Sequence, residues 1–265
     1  MSLTGRTIRG VLFDIDDTLV DTRTAFAAAL AAVAGRFLPE LSADRHPELL
    51  RLWRADTGGH YRAFTRGEVD FTTQRRARVD QLHEAFGGAV LDDDAFDAWS
   101  RRYEETFALA WTAFEDAEGV LRLIRTRGLR TGSLSNALAR TQRAKLLATG
   151  LADLAPLLVS VETFGVGKPD PRVFLEACRL LGTAPGETVY VGDELDIDAR
   201  AATAAGLRGV WLDRPGRRRG GVHDEDGAAA RADGIVVISG LDELTRCWRR
   251  GTDERAPAED ALPPR

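Results

Sequence analysis

The sequence predicts an α/β protein, a doubly wound parallel sheet of Rossmann-like type with an all-helical insertion. An apolar run, Val11–Phe13, ends abruptly in carboxylates, as a buried strand does at a sheet edge. Residues 20–115 contain helical patterns but no convincing strand. From Gly119 onward, short apolar runs alternate with longer helical segments, which is typical of a parallel sheet with crossover helices.

The insertion follows the first strand. Its first helix, Thr24–Phe37, is rich in alanine and places its large apolar side chains on one face. Further helices are expected at 47–53, 72–86 and 94–111. Since the first strand must join the sheet formed later in the chain, this block of about 90 residues is predicted to be a separate helical unit.

The second half of the chain supplies the rest of the sheet. Helices are expected at 120–127, 141–149, 171–181 and 196–205, and strands at 129–135, 157–161, 188–191, 209–212 and 235–238. Pro171 suits the first turn of its helix and Gly206 ends the last one. The polar, Gly- and Arg-rich stretch 214–233 is expected to be an exposed loop.

These patterns divide the chain into three parts. Residues 1–20 and 115–250 are predicted to form a discontinuous core, and residues 21–114 a helical cap. The tail, 251–265, is rich in Pro, Ala and charge and is expected to be disordered.

Composition excludes several classes of function. The 265 residues carry a net charge of −5, which gives no basic field for nucleic acid or an anionic membrane. No apolar stretch approaches the roughly 18 residues of a membrane span, and the first ten residues lack a signal sequence. Cys178 and Cys247 are too few for a disulfide framework, and Cys178 falls on an apolar helix face. We therefore expect a cytoplasmic protein, with its oligomeric state left open.

Two aspartates follow the first strand. Asp14 and Asp16 are two residues apart and point the same way at a strand end. Such carboxylates repel, and a hard divalent cation such as Mg²⁺ holds both ionised. One could then act as a nucleophile and the other as a proton donor. A solvated acidic turn is the alternative for this pair considered alone.

Polar residues that could act together with these aspartates follow other predicted strands. Ser135 and Asn136 close one strand, Lys168 lies in Gly-Lys-Pro-Asp-Pro, and Asp193 follows another strand. Because parallel strands end at one edge, these side chains should converge. Of the 36 basic residues only Lys145 and Lys168 are lysines, so a lysine here indicates a need for an ammonium group. Carboxylates, a hydroxyl and an ammonium together suit phosphoryl transfer.

Four motifs in this order give a specific resemblance. They are Asp-x-Asp-x-Thr at 14–18, Ser-Asn at 135–136, Gly-Lys-Pro-Asp-Pro at 167–171 and Gly-Asp-x₄-Asp at 192–198. With them, the chain resembles the haloacid dehalogenase-like hydrolase superfamily over about residues 8–245. No dinucleotide-binding or P-loop glycine motif is present.

The resemblance implies the following roles for the reacting groups. Asp14 would attack phosphorus and become an aspartyl phosphate. Asp16 would protonate the leaving oxygen and then activate water. Ser135 would bind the phosphoryl group, with Asn136 beside it, and Lys168 would neutralise its charge.

The resemblance also implies supporting roles. Asp193 would bind Mg²⁺ together with the Asp14 carboxylate and the Asp16 backbone carbonyl. Asp198 would orient Lys168, although spacing alone allows Asp196 instead. Thr18 would orient the loop after the first strand. Glu194 is either a second metal ligand or a helix-start acid. Asp17 takes a position that is often glycine in the family, which implies a role in loop conformation.

The implied function is a Mg²⁺-dependent phosphatase that acts on a small phosphorylated metabolite. The presence of Asp16 disfavours a dehalogenase, and an insertion without lysine disfavours the phosphonate-cleaving branch. A phosphosugar mutase and a non-catalytic regulatory protein remain alternatives. The cap segments 61–68 and 74–78 are candidates for reading the substrate, but a solvated basic helix face is favoured for them.

Overall fold

A computed structural model describes residues 7–220 and 225–244. The predicted disordered tail 251–265, the ends of the predicted core and Cys247 lie outside the described residues. Within these ranges, no helix combines the length and the apolar character that crossing a bilayer requires.

Six parallel strands form one sheet in the order β3-β2-β1-β4-β5-β6, so the predicted fold class is confirmed. The strands are β1 Gly10–Phe13, β2 Arg130–Ser135, β3 Leu157–Ser160, β4 Thr188–Gly192, β5 Arg208–Leu212 and β6 Val236–Ile238. β1 lies in the middle, and Phe13 is in register with Ser133 of β2 and Val191 of β4. The carboxyl ends of these three strands therefore lie side by side, where α/β sheets bind ligands.

Helices cover both faces of the sheet, and every residue of β1 is therefore buried. They are α6 Glu115–Thr126, α7 Ala139–Ala148, α8 Pro171–Leu181, α9 Ala201–Ala204 and α10 Gly227–Ala232. Successive β1 side chains point to opposite faces, so Val11 and Phe13 enter one apolar cluster and Leu12 the other. Cys178 is buried in the second cluster, as predicted.

Five helices occupy the insertion, and no strand lies between them. They are α1 Thr22–Phe37, α2 His46–Ala55, α3 His60–Thr65, α4 Phe71–Ala85 and α5 Asp93–Leu109. They surround their own core, in which the rings of Phe26 and Phe107 stack 4.8 Å apart between α1 and α5. The two connections to the sheet run together, because Asp21 N donates to Thr112 O and Phe114 N donates to Leu19 O.

The structure departs from the expected elements in three places. Helix α3 was not predicted, since six residues are too short to show a helical period. The expected helix at 196–205 begins with a wide π-helical turn, Leu195–Arg200, and only then becomes α9.

The prediction that 214–233 is an exposed loop was wrong in part, as the described residues 214–220 and 225–233 show. This segment contains helix α10, and three of its arginines pair with carboxylates outside it. Arg214 pairs with Asp116 at 2.8 Å, and Arg217 pairs with Asp21 at 2.6 Å. The charge pattern of the loop suggested solvent exposure because sequence alone does not reveal these distant partners.

Candidate active site

The carboxyl ends of β1 and β2 open into a cavity of about 420 Å³ between the sheet and the helical insertion. Five predicted site residues line it: Asp14, Asp16, Ser135, Asn136 and Lys168. Asp193 and Asp198 lie behind Asp14, and the carboxylate oxygens of these three aspartates come within 4.8 Å of one another. The structure thus brings together residues that are up to 184 positions apart in the sequence.

Lys168 is the centre of a buried polar network. Its Nζ donates to Asp14 Oδ1 at 2.7 Å, to Asp198 Oδ1 at 2.6 Å and to the Tyr190 hydroxyl at 2.8 Å. Of the two aspartates that spacing allowed as its partner, Asp198 makes the contact. Tyr190 was not predicted as a site residue, because a tyrosine within a strand gives no such signal.

Asn136 fixes the backbone of this lysine. Its Nδ2 donates to Lys168 O at 2.9 Å, and Lys168 N donates to its Oδ1 at 2.6 Å. Both ends of the amide are thereby used, and Gly167 leaves the space that the amide occupies. The geometry makes Asn136 a positioning residue for Lys168, and a direct contact with substrate stays a prediction.

Burial and pairing displace the pKa values of these groups. Burial raises the pKa of Asp14 to about 7, although Lys168 opposes the effect, while Asp198 and Asp16 add to it. Burial alone would lower the pKa of Lys168, but the charges of Asp14 and Asp198 outweigh it and raise that pKa well above its ordinary value. Lys168 is therefore a permanent cation beside Asp14.

Asp16 has a separate set of partners. Its carboxylate accepts from Thr22 Oγ1 at 2.8 Å, from Gln142 Nε2 at 2.5 Å and from Lys145 Nζ. Burial would raise the pKa of Asp16, but the ammonium of Lys145 and these hydrogen bonds outweigh it and lower the pKa. Gln142 Nε2 also donates to Ser135 Oγ at 2.8 Å and so joins two predicted site residues.

Sequence reasoning gave Lys145 and Gln142 no role. Both are fully buried on α7, one turn apart, and they face the edge of the sheet. The scarcity of lysine in this chain was a signal that could have identified Lys145. Gln142 gave no such signal.

Asp193 and Glu194 share an unexpected partner, Arg219. The Nε of Arg219 is 3.5 Å from Asp193 Oδ2, and its Nη2 is 3.0 Å from Glu194 Oε1. Burial raises the pKa of Asp193 well above its ordinary value even though Arg219 opposes it. Glu194 thus pairs with an arginine and is not in the cluster of Asp14, Asp193 and Asp198.

The cluster fits a hard divalent cation. It supplies several carboxylate oxygens within a small space, the donor type that Mg²⁺ prefers. Asp193 Oδ1 is buried and has no hydrogen-bond partner among the described residues. A buried carboxylate oxygen of this kind is normally satisfied by a donor or a metal, so the residues present suit such an ion.

Asp17 links the strand-end loop to the insertion. It adopts a left-handed backbone conformation with φ of 59°, which explains why glycine suits this position. Its side chain accepts from Arg23 N at 2.8 Å and pairs with Arg54 of α2, with both side chains buried. Thr18 next to it is fully buried, and its backbone oxygen accepts from Arg214 at 3.2 Å.

The insertion closes directly over this edge. The Tyr61 hydroxyl donates to Asn136 O at 3.0 Å, and Gly167 N donates to Thr65 O at 2.7 Å. On α4, Gln74, Arg75 and Arg78 line the cavity, so the favoured interpretation of residues 74–78 as a solvated face was wrong for these three. Arg76 is not part of the cavity lining and contacts Asp80 and Asp93.

Comparisons with known proteins agree with this geometry. The family model for haloacid dehalogenase-like hydrolases matches residues 8–206. A phosphoserine phosphatase of Thermus thermophilus is 31% identical over 226 residues, which cover 77% of this chain and 88% of that protein. A glyceraldehyde 3-phosphate phosphatase of Methanopyrus kandleri is 31% identical over 208 residues, covering 78% of this chain and 84% of that protein.

Solved structures show the same fold. The HAD-hydrolase YfnB from Bacillus subtilis, solved with magnesium, superposes with a TM-score of 0.72 at 21% identity. The match covers 92% of this chain and all of that one. The match to the family model and the identity to the phosphatase relatives confirm the resemblance inferred from the four sequence motifs.

Proposed function

Because this chain belongs to the haloacid dehalogenase-like hydrolases, we propose that it is a phosphatase that hydrolyses a small phosphorylated metabolite through an aspartyl-phosphate intermediate. The observation that carries the proposal is the arrangement of two aspartates on one cavity. Asp14 contacts Lys168 and Asp16 contacts Lys145, so each carboxylate has its own cation. The names of the phosphatase relatives support the same class of reaction.

Asp14 is the proposed nucleophile. An oxygen of its carboxylate attacks phosphorus, the bond from phosphorus to the leaving oxygen breaks, and an acyl phosphate forms on Asp14. Lys168 stabilises the negative charge on the phosphoryl group, and Ser135 supplies a hydroxyl on the neighbouring strand. Tyr190 and Asp198 hold the ammonium of Lys168 in place.

Asp16 is the proposed acid and base. In the first step it gives a proton to the leaving oxygen. In the second it takes a proton from the water that attacks phosphorus, while the bond from Asp14 to phosphorus breaks and phosphate is released. Because its pKa is lowered, it is ionised before substrate binds. A phosphomonoester monoanion, whose second pKa is about 6, can bring a proton that passes to Asp16 on binding, and Asp16 then gives this proton to the leaving oxygen.

Mg²⁺ is the proposed cofactor. Asp14, Asp193 and the backbone carbonyl of Asp16 would hold it, while Asp198 stays with Lys168. When bound, the ion would neutralise charge on the phosphoryl oxygens and keep the neighbouring carboxylates ionised. The raised pKa values of Asp14 and Asp193 would then fall to the range in which both are carboxylates.

We also propose that residues 21–114 act as the cap over a core formed by residues 1–20 and 115–250. The hydrogen bonds from Tyr61 to Asn136 and from Gly167 to Thr65 support a cap that excludes water from the cavity. Opening would break these contacts and pivot about the paired connections near Val20 and Ala113.

Phosphate release from a panel of sugar phosphates, nucleotides and phosphorylated acids, with and without Mg²⁺, tests the proposed function. We expect Mg²⁺-dependent release that Asp14→Asn abolishes. An activity that needs a sugar bisphosphate activator and transfers phosphate within the substrate would instead identify a mutase. Folded protein that releases no phosphate from any substrate would contradict the proposal.

A further inference from the structure

The inner face of α4 presents polar groups without partners to the cavity. Gln74 is 1% exposed, and neither its Oε1 nor its Nε2 has a hydrogen-bond partner among the described residues. The buried Nε and Nη1 atoms of Arg75 have none within the same part of the chain. Buried polar side chains are normally hydrogen-bonded, and these two line the same cavity as Asp14. They therefore indicate a place for a polar ligand group.

Aromatic rings hold Arg75 by the face of its guanidinium. Its Cζ lies 4.7 Å from the ring centre of Tyr103, 5.0 Å from that of Phe71 and 5.7 Å from that of Trp53. Contacts of this kind fix the plane of the guanidinium but use none of its N–H groups. The N–H edge is left available for two parallel hydrogen bonds, the geometry that a carboxylate or a phosphate accepts.

The cations that line the cavity differ in whether they have an acidic partner. Near the sheet, Lys168 pairs with Asp14, Lys145 with Asp16 and Arg219 with Glu194. No ion pair of residues 7–220 and 225–244 includes Arg75.

Arg78, one turn along α4, adds to the positive charge on the side of the cavity formed by the insertion. Its Cζ lies 3.8 Å from the ring centre of Trp53, and its Nη2 donates to the backbone oxygen of Trp53 at 2.5 Å. Burial lowers its pKa to about 10, and the charge of Arg75 contributes to that shift. Two cations held in a desolvated wall favour an anion between them and the sheet.

We propose that Arg75 and Gln74 bind a second anionic group of the substrate, a carboxylate or a second phosphate on the leaving group. This inference rests on the proposed function, since it concerns the part of the phosphomonoester that departs. Arg75 would donate two hydrogen bonds to the anion and Gln74 Nε2 a third. The cavity of about 420 Å³ is large enough for a small metabolite with an anion at each end.

Three esters with the same three-carbon frame test this inference: 3-phosphoglycerate carries a carboxylate, glycerol 1,3-bisphosphate a second phosphate, and glycerol 3-phosphate neither. Binding is measured by calorimetry on the full chain with Asp14→Asn, in the presence of Mg²⁺, so that no turnover occurs. At least one doubly anionic ester should bind roughly 10- to 100-fold more tightly than glycerol 3-phosphate. Whichever of 3-phosphoglycerate and glycerol 1,3-bisphosphate binds more tightly shows whether the second anion is a carboxylate or a phosphate.

Variants in the same background locate the effect. Arg75→Met keeps an apolar stem against the rings and should abolish the preference, and Gln74→Leu should weaken it. Arg76→Met is the matched control, because Arg76 is on the same helix but lies outside the cavity lining. It should leave the preference unchanged. Thermal unfolding verifies that every variant is folded.

The inference would be overturned by equal binding of the three esters, or by a preference that survives in Arg75→Met. Absence of binding by all three would overturn it as well. The proposed function fails separately, if wild-type protein releases no phosphate from any substrate while calorimetry still shows the preference. A preference lost in Arg75→Met and kept in Arg76→Met supports the site.

Discussion

Replacing Lys168 with methionine should lower the free energy of unfolding by about 3 to 5 kcal/mol at pH 8. Methionine has a similar length but no charge, so the Asp14 and Asp198 carboxylates lose the ammonium that now lies 2.7 and 2.6 Å from them. They are 5% and 1% exposed, and water cannot replace the cation. Removing one partner of a buried pair has an effect of this size because the other charge stays buried.

The loss should depend on pH. Burial raises the pKa of Asp14 to about 7 in the native protein, from an ordinary value of 3.8, and Lys168 limits that rise. Without the lysine the pKa rises further. A carboxyl whose pKa is raised by folding contributes stability below its ordinary pKa and loses it as pH rises through the folded value. The variant should therefore be closer to wild type at pH 5 than at pH 8, by at least about 1 kcal/mol, since one pKa unit is about 1.4 kcal/mol.

Equilibrium urea unfolding at both pH values measures this difference. Circular dichroism and tryptophan fluorescence should report coincident transitions, so that one free energy describes the change. Arg172→Met is the matched control, because Arg172 pairs with Asp170 at 2.6 Å on the surface, with 62% of its side chain exposed. It should leave the midpoint unchanged. A Lys168→Met protein within about 1 kcal/mol of wild type at pH 8, or an equal loss at both pH values, would refute the reasoning.

Three further predictions concern the metal and the lysine. Because burial raises the pKa values of both Asp14 and Asp193, their protons must leave when Mg²⁺ binds, so the affinity measured by calorimetry should rise at least about tenfold per pH unit between pH 5 and pH 7. A flat profile would contradict it. Arg219→Gln removes a guanidinium 3.5 Å from Asp193 Oδ2 that competes with Mg²⁺ for this carboxylate, and should raise the Mg²⁺ affinity several-fold. Arg218→Gln is the control and should leave the affinity unchanged. Equal affinities of wild type and both variants would contradict this competition. Asn136→Ala removes both hydrogen bonds to the backbone of Lys168 and should lower kcat at least about tenfold with a smaller change in KM. An unchanged kcat would exclude the positioning role of Asn136.

Local patterns were sufficient to predict most secondary structure. The strand at Gly10–Phe13 and the helix Pro171–Leu181 follow from short-range features, an apolar run and a proline at a first turn. The exposure of the arginine-rich segment 214–219 was misjudged, because its arginines form ion pairs with residues far away in the sequence. Helix α3 was missed because it is too short to show a period.

The sequence by itself determined the family, the order of the strands' polar ends and the pair Asp14 and Asp16, because spacing along a strand or turn is a local property. Only the tertiary structure decided which groups act together. It selected Asp198 over Asp196 as the partner of Lys168 and brought Lys145 to Asp16 across 129 positions. It also placed Arg75 in the lining of the cavity and Arg76 outside it, next to Asp80. These contacts depend on how the elements pack in space, and the hydrophobic packing of the sheet and of the helical insertion determines their positions.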